Sequence, residues 1–331
     1  MNLPKTTDAH PSQLHAARAS DMNTRPTYVG HDTANFFWEG SELGPVETGC
    51  VASFVQHGFK VCVYSYRNLK LPTGVTLYDA TEIMPKSDLS IYCQAGQKGN
   101  LAAFSDAFRY RLLDSKVGWW FDADMLCLDD CSRFESLLRT KRLGFCAGRE
   151  DRTHINGAAL FLSDRDIAGA LLDDLNACGL TFDWGEIGPK LLTRVINRLG
   201  LQESIEPPQT FYPIHYRDFE KLYDPAQREW CEENIIGSLA LHLWNEIRSR
   251  LIIPSSVLPP NGSFLHTRLT TACPYLQAAP TLRIETFHRL ARFPAMERRL
   301  AALEDFEVRV KGSTAYRFYR WLHKLDRSNS G

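Results

Sequence analysis

The amino-acid sequence predicts an α/β protein with a mostly parallel sheet, on three observations. From residue 35 onward, short runs of β-branched and aromatic residues alternate with stretches whose apolar residues recur at helical spacing. Gly58 and Gly118 stand where two of these helical stretches end, a common place for glycine. No internal repeat interrupts the alternation. Such units build sheets whose ligands bind at the carboxyl ends of the strands.

The first predicted elements form a βαβ unit. Residues 35–38 are short and aromatic, as in a buried strand, and residues 43–57 carry apolar side chains at helical spacing up to Gly58. A second strand at 59–66 and a short third one at 75–78 follow. An opening of this kind is typical of a mostly parallel sheet.

The same patterns continue to residue 244. Residues 101–115 are predicted to form a helix because Phe104, Phe108 and Leu112 fall on one side of it. The other predicted elements are strands at 117–121, 143–147, 158–162 and 239–244, and helices at 167–178 and 188–199.

Two carboxylates, Asp122 and Asp124, follow the apolar strand Trp119-Trp120-Phe121 directly. Residues i and i+2 at a strand end can project to the same side, and carboxylate oxygens are the ligands that Mg²⁺ and Mn²⁺ prefer. Asp-x-Asp is common in solvated turns, but two acids after a buried strand are costly unless something neutralises them. We therefore expect a divalent-metal site at this strand tip.

A second charged pair, Asp106 and Arg109, lies three residues apart on one face of the helix 101–115. A surface ion pair would be the ordinary interpretation of this spacing. The flanking residues are apolar on most sides, however, which favours a pair that points inward near the acidic strand tip. A buried charged pair in a cleft is a candidate for a functional site.

Several segments, in order along the chain, resemble glycosyltransferase family 32, the sugar transferases with a DXD motif. The central match is Ser105-Asp106-Ala107-Phe108-Arg109-Tyr110 followed by Gly118-Trp119-Trp120-Phe121-Asp122-Ala123-Asp124. The other segments that agree are Phe37-Trp38-Glu39-Gly40, Ser53-Phe54-Val55-Gln56-His57-Gly58, Val63-Tyr64-Ser65-Tyr66, Gly188-Pro189 and Leu241-His242-Leu243-Trp244-Asn245. The resemblance spans about residues 35–246 and implies a GT-A fold, a Rossmann-like mixed sheet flanked by helices. The helical spacing after residue 281 predicts additional C-terminal helices.

The resemblance also implies roles for individual residues. Asp122 and Asp124 would contact a Mn²⁺ or Mg²⁺ ion and the ribose-diphosphate part of a nucleotide sugar, and Asp106 and Arg109 would hold the donor sugar. The remaining residues implied in the site are Trp38 as a stacking partner of the base, Asn156 as a donor contact, His242 near the metal, and Trp244 and Asn245 near the phosphates. The alternative for Trp38 is an ordinary core aromatic, and for Asn156 it is a turn. The alternative for His242 is a core position or one that supports the metal ligands without binding the metal.

The family implies transfer of a sugar from a UDP- or GDP-sugar to a glycan or lipid-linked acceptor, with retention of the anomeric configuration. A divalent cation at the departing diphosphate stabilises its negative charge. The sequence leaves two alternatives open. One is a nucleotide-sugar-binding or glycan-binding protein without turnover. The other is a phosphatase of the haloacid dehalogenase type, which normally carries its Asp-x-Asp on the first strand.

Composition excludes two other classes of function. The chain has 331 residues, with 38 Lys+Arg against 39 Asp+Glu, so no overall positive charge favours binding to nucleic acid. Apolar runs of the roughly 18–20 residues that span a bilayer are absent. Residues 1–27 are polar without a secretion signal, and the cysteines lie mostly in apolar settings, so we expect a disordered start, reduced thiols and a cytoplasmic protein.

We predict three segments: the disordered residues 1–27, a glycosyltransferase domain at 28–258, and a helical basic extension at 259–331. Between residues 281 and 331 there are eleven Lys+Arg and six Asp+Glu, with repeated aromatics. This tail favours either peripheral contact with a membrane, where lipid-linked acceptors reside, or an ordinary solvated helical face.

Overall fold

The structure is a computed structural model that describes residues 29–94, 96–141, 143–314 and 316. The predicted disordered start and the tail beyond Tyr316 lie outside these residues. The strands are β1 (Thr33–Phe37), β2 (Lys60–Ser65), β3 (Val75–Asp79), β4 (Cys93–Gln94), β5 (Gln97–Lys98), β6 (Trp119–Phe121), β7 (Met125–Cys127), β8 (Phe145–Arg149), β9 (Ile155–Leu162), β10 (Thr181–Phe182), β11 (Ile205–Glu206) and β12 (Ala240–His242). The α-helices are α1 (Pro45–Gln56), α2 (Leu101–Ser115), α3 (Cys131–Leu138), α4 (Arg165–Cys178), α5 (Leu191–Leu199), α6 (Pro208–Phe211), α7 (Phe219–Tyr223), α8 (Arg228–Asn234), α9 (Asn245–Arg250), α10 (Phe264–Ala272) and α11 (Ile284–Gly312).

The central sheet of the described chain has seven strands in the order β11-β8-β9-β6-β1-β2-β3. Strand β1 pairs in parallel with β2 and β6, whereas β9 runs antiparallel to both β6 and β8. The predicted mixed α/β sheet is therefore confirmed. Because β6 lies beside β1 with the same direction, the chain that follows β6 emerges at the same edge of the sheet as the chain that follows β1.

Side chains of the central strands alternate between two cores, one on each face of the sheet. On one face, Phe36, Trp119 and Phe121 pack with helices α1 and α10. On the other, Phe37 and Trp120 pack with helices α2, α4 and α5. Full burial on both faces explains why these strands have continuous apolar sequences rather than an alternating pattern.

Most predicted elements are present, with shifted ends. Strand β6 begins at Trp119 rather than at residue 117, because Gly118 adopts φ +113°, a conformation that favours glycine. A Cβ at this position would lie 2.6 Å from the Thr33 carbonyl oxygen. The helix predicted at 188–199 begins instead as a π-turn at Glu186–Lys190, which contains Pro189, and α5 starts after it. Strand β9 starts three residues earlier than predicted, so Asn156 lies inside it.

The predicted extension after residue 259 is helical in the part that the structure describes. Leu265 and Leu269 of α10 are fully buried in the same core as α1, and Phe287 of α11 stacks on Tyr223 at a ring distance of 5.1 Å. The division at residue 259 stays a prediction. Every helix among the described residues is too short or too polar to cross a bilayer.

Candidate active site

The acidic strand tip lies where β6 leaves the central sheet. The backbone N–H of Asp122 still donates to the Ala158 carbonyl of β9 at 2.9 Å, after which the chain turns and Met125 donates to the Asp122 carbonyl at 2.9 Å. Strand β7 then pairs antiparallel with β12, so that Met125 faces His242. This two-stranded ribbon brings the segments around residues 122–125 and 240–245 together.

Asp122 faces the α2 side of the tip. Its Oδ1 accepts hydrogen bonds from Arg109 Nη2 at 2.9 Å and from the indole Nε1 of Trp120 at 2.7 Å. The guanidinium of Arg109 also lies over the Trp120 ring, 5.3 Å from its centre. The carboxylate is about one quarter exposed, at 26%, so its remaining oxygen can be reached from solvent.

Asp124 faces the α9 side and is buried. Its Oδ2 accepts from the backbone N–H of Asn245 at 2.7 Å and lies 3.4 Å from His242 Nε2. Burial by itself raises the pKa of Asp124, but His242 and the Asn245 N–H outweigh it and lower this pKa to about 2. Burial likewise lowers the pKa of His242, whereas the Asp124 carboxylate raises it to a net value above normal. Asp124 is thus an anion held among hydrogen-bond donors.

The predicted inward orientation of Asp106 and Arg109 agrees with the geometry. Arg109 Nη2 bridges Asp106 Oδ1 at 3.1 Å and Asp122 Oδ1 at 2.9 Å, and its side chain is only 6% exposed. Two glycines make room for the pair. A Cβ on Gly188 would lie 2.5 Å from Asp106 Oδ2, and a Cβ on Gly157 would overlap Arg109 Nη1. The sequence offers no local signal for these two contacts.

Asp106 is a mostly buried residue of the cluster, and the pKa of its carboxyl group is shifted upward. Burial raises the pKa of its carboxyl to about 6, against the lowering effect of Arg109, and Asp122 adds to the rise. In the unfolded chain the pKa of an aspartate is about 3.9. Between these two values the folded state binds more protons than the unfolded state, so its stability falls as pH rises.

We predict that Asp106→Asn stabilises the metal-free protein at pH 8 and has almost no effect at pH 4. A shift of about two pKa units corresponds to at most about 3 kcal/mol, because the asparagine removes a buried charge that the wild type carries only above its folded pKa. Urea unfolding of both proteins between pH 4 and 8 measures the difference. A difference that does not change with pH would show that Asp106 titrates normally.

The residues at the tip suit a divalent cation. Asp122, Asp124 and His242 each offer a ligand atom, and these atoms lie within 4.8 Å of one another. His242 Nδ1 and Asn245 Oδ1 are buried without a hydrogen-bond partner, which is costly unless something binds there. Two carboxylates and an imidazole form a set of ligands that fits Mn²⁺ or Mg²⁺.

The other candidate residues differ in how freely they could meet a ligand. Trp38 follows β1, and its Nε1 donates to the Glu42 carbonyl at 2.9 Å. Both ends of the Asn156 amide are engaged, with Glu150 at 2.8 Å and with the Ala158 N–H at 2.8 Å. Trp244 Nε1 donates to the Ile214 carbonyl at 2.9 Å, and its ring centre lies 4.3 Å from that of His242. The roles implied for these residues stay predictions.

Two further residues of the site were not apparent from the sequence. The hydroxyl of Tyr212 donates to the Asn156 carbonyl at 3.2 Å, and its ring meets His242 edge-on at 5.8 Å. Trp120 binds Asp122 directly, although its place in an apolar strand suggested only core packing. A buried tyrosine or tryptophan usually has a polar partner. This general tendency is the signal by which the sequence could have indicated the polar contacts of Tyr212 and Trp120.

Part of the chain that contributes to this site is similar to sugar transferases. Residues 161–279 match the family model described as "Alpha 1,4-glycosyltransferase conserved region". This region includes His242, Trp244 and Asn245 and begins after the Asp122–Asp124 tip. The predicted resemblance to a family of sugar transferases is therefore confirmed.

Individual relatives support the same relationship. Mouse lactosylceramide 4-alpha-galactosyltransferase is 28% identical over 158 residues, which cover 44% of this chain and 42% of the mouse protein. Human alpha-1,4-N-acetylglucosaminyltransferase is 26% identical over 156 residues, covering 43% and 42% of the two chains. The matched region thus spans about two fifths of the length of these relatives. Among solved structures, the glycosyltransferase GlyE of Streptococcus pneumoniae TIGR4 aligns with a TM-score of 0.37 and 15% identity, over 66% of this chain and 57% of GlyE.

Proposed function

We propose that this protein is a metal-dependent glycosyltransferase that moves a sugar from a UDP- or GDP-sugar to a glycan or lipid-linked acceptor. The observation that carries this proposal is the cluster of Asp122, Asp124 and His242 beside the Arg109–Asp106 pair. The names of the relatives favour a galactosyl or N-acetylglucosaminyl group and an α-1,4 linkage.

The proposed site divides the work among its residues. Asp122, Asp124 and His242 would hold Mn²⁺ or Mg²⁺, which when bound neutralises negative charge on the departing diphosphate. Arg109 keeps Asp122 in place and balances the negative charge of Asp106 and Asp122. Asp106, next to it, is a hydrogen-bond partner for the hydroxyl groups of the donor sugar. Trp38, Asn156, Trp244 and Asn245 would line the nucleotide side.

The proposed reaction breaks the bond between the anomeric carbon and the phosphate oxygen, and the electron pair leaves with the nucleoside diphosphate. The acceptor hydroxyl forms the new bond to the anomeric carbon from the same face, so that the configuration is retained. Its proton passes to the leaving phosphate oxygen. The chain therefore needs no protein nucleophile, and its contribution is to orient the donor and stabilise charge.

Release of nucleoside diphosphate tests this function without knowledge of the acceptor. Purified protein is incubated with UDP-galactose, UDP-N-acetylglucosamine and GDP-sugars, with and without Mn²⁺, and free UDP or GDP is measured. We expect slow, Mn²⁺-dependent hydrolysis of one donor. Binding of a donor without any release would instead support the non-catalytic alternative, and hydrolysis of simple phosphate esters would support a phosphatase.

Gly157→Ala is predicted to lower this donor hydrolysis about 100-fold, because the new methyl group displaces the Arg109 guanidinium from Asp122 and misplacement of about 1 Å has effects of this size. Gly169→Ala is the matched control, since a Cβ at Gly169 meets nothing within 4 Å. Hydrolysis rates and melting temperatures are compared for both variants. Equal rates in the two variants would contradict the role given to Arg109.

A further inference from the structure

A buried ion pair outside the proposed site joins two distant parts of the chain. Glu47 on α1 is fully buried, and its Oε1 accepts from Arg248 Nη2 on α9. The Arg248 side chain is only 7% exposed. Glu47 Oε2 and Arg248 Nη1 are also buried, and neither has a hydrogen-bond partner.

A contribution to the stability of the fold does not by itself explain a buried ion pair of this kind. Removing two charges from water costs several kcal/mol per ion, and the attraction between them compensates fully only when every remaining polar atom is satisfied. Here one atom on each side chain is left without a partner. An apolar pair of similar volume would serve the core as well or better, which points to a different role.

Arg248 lies one helical turn after the residues that contact Asp124. Its backbone N–H and that of Ile247 donate to the Trp244 carbonyl, at 3.4 and 2.8 Å. Asn245, which follows Trp244 directly, donates its backbone N–H to Asp124 Oδ2 at 2.7 Å. A shift of α9 therefore moves the hydrogen bond that orients the Asp124 carboxylate.

Helix α9 and the preceding residue Trp244 do not hold their conformation without other contacts. Helix α9 has only six residues, too few for a helix that is stable without tertiary contacts. Trp244 precedes it with φ 55° and ψ 54°, a left-handed conformation that costs a non-glycine residue about 1 kcal/mol or more and persists only under outside constraint. The Arg248–Glu47 pair supplies a constraint from the rigid helix α1.

We infer that Glu47 and Arg248 are positioning residues, which anchor α9 so that the Asn245 N–H and His242 hold Asp124 in the geometry for a divalent cation. This inference rests on the proposed function. Glu47 has a second role, because it neutralises the Arg248 guanidinium, which interacts electrostatically with Asp124.

The two single variants separate anchoring from simple electrostatics. Glu47→Gln leaves an extra positive charge near the site, whereas Arg248→Met leaves an extra negative one. Electrostatics alone would weaken Mn²⁺ binding in the first variant and strengthen it in the second. Loss of the anchor weakens it in both, by about 10-fold or more, the usual effect of losing a partner that orients a metal ligand.

The experiment measures Mn²⁺ affinity, and it measures the hydrogen-exchange rate of the Asn245 amide in the metal-free protein of residues 1–331, well below its melting temperature. We expect weaker Mn²⁺ binding and faster exchange in Glu47→Gln and Arg248→Met. In Arg248→Lys, Mn²⁺ affinity and the exchange rate should both return most of the way to the wild-type values. Val195→Ala, which truncates a side chain buried in the opposite core, is the control for general destabilisation and is expected to change neither quantity.

Wild-type affinity and exchange in both single variants would overturn the inference, as would affinity changes of opposite sign. If Arg248→Met does not fold, Glu47→Gln and Arg248→Lys decide by the same two readouts. If the wild type itself binds no Mn²⁺, the proposed metal site fails, and the exchange rate of Asn245 still decides whether the pair anchors α9.

Discussion

Asp124→Asn is expected to reduce Mn²⁺-dependent donor hydrolysis by about 10²–10³-fold, the effect typical of removing one group that stabilises transition-state charge. The asparagine oxygen can still accept the Asn245 N–H, so the fold should persist. What disappears is a buried negative charge beside His242. Initial rates with the preferred donor and saturating Mn²⁺ measure the loss.

Asp114→Asn provides the matched control for this substitution. Asp114 is 43% exposed and pairs only weakly with Arg165, at 3.5 Å. We expect its rate to equal that of the wild type, since exposed ion pairs contribute little. Full Mn²⁺-dependent activity in Asp124→Asn would show that the assignment of the carboxylates is wrong.

Arg109→Met is expected to have the largest effect on stability. The arginine is the shared partner of Asp106 and Asp122, and removing one member of a buried charged group typically costs about 3–5 kcal/mol. The loss should be largest at pH 8 and smaller at pH 5, because Asp106 can take up a proton at the lower pH. Urea unfolding at the two pH values measures both quantities.

Two comparisons make this prediction specific. The double variant Asp106→Asn/Arg109→Met should recover part of the stability at pH 8 without recovering donor hydrolysis, because one of the two uncompensated carboxylates is gone. Arg165→Met, which removes a 64% exposed arginine, should leave stability nearly unchanged. A stability loss in Arg109→Met no larger than in Arg165→Met would contradict a buried charged cluster.

The parts of the fold that follow local patterns could be predicted from the sequence. Helix α2 has the predicted bounds because its apolar spacing and its Asn100 N-cap are both local signals. The tip at Asp122 was predictable because it directly follows a continuous apolar strand. The inward direction of Arg109 followed from the apolar residues around it on α2.

The parts that depend on distant pairing could not be predicted in the same way. His242 lies beside Asp124 because β12 pairs with β7. Strand β12 has only three residues, and its sequence does not indicate which strand it pairs with. The contact of Glu47 with Arg248 joins residues 201 positions apart. Gly157 and Gly188 matter through what their missing side chains leave open, which depends on the placement of Arg109 and Asp106.

The central claim is that Asp122, Asp124 and His242 bind a divalent cation that also contacts the diphosphate of the donor. Titration of the metal-free protein with Mn²⁺ tests it most directly. Free Mn²⁺ is followed by electron paramagnetic resonance, in the absence and in the presence of UDP or GDP. We predict one equivalent bound per chain, tighter binding with one of the two nucleotides, and loss of this binding in Asp124→Asn. Absence of saturable binding in the wild type, or unchanged binding in Asp124→Asn, would contradict the account.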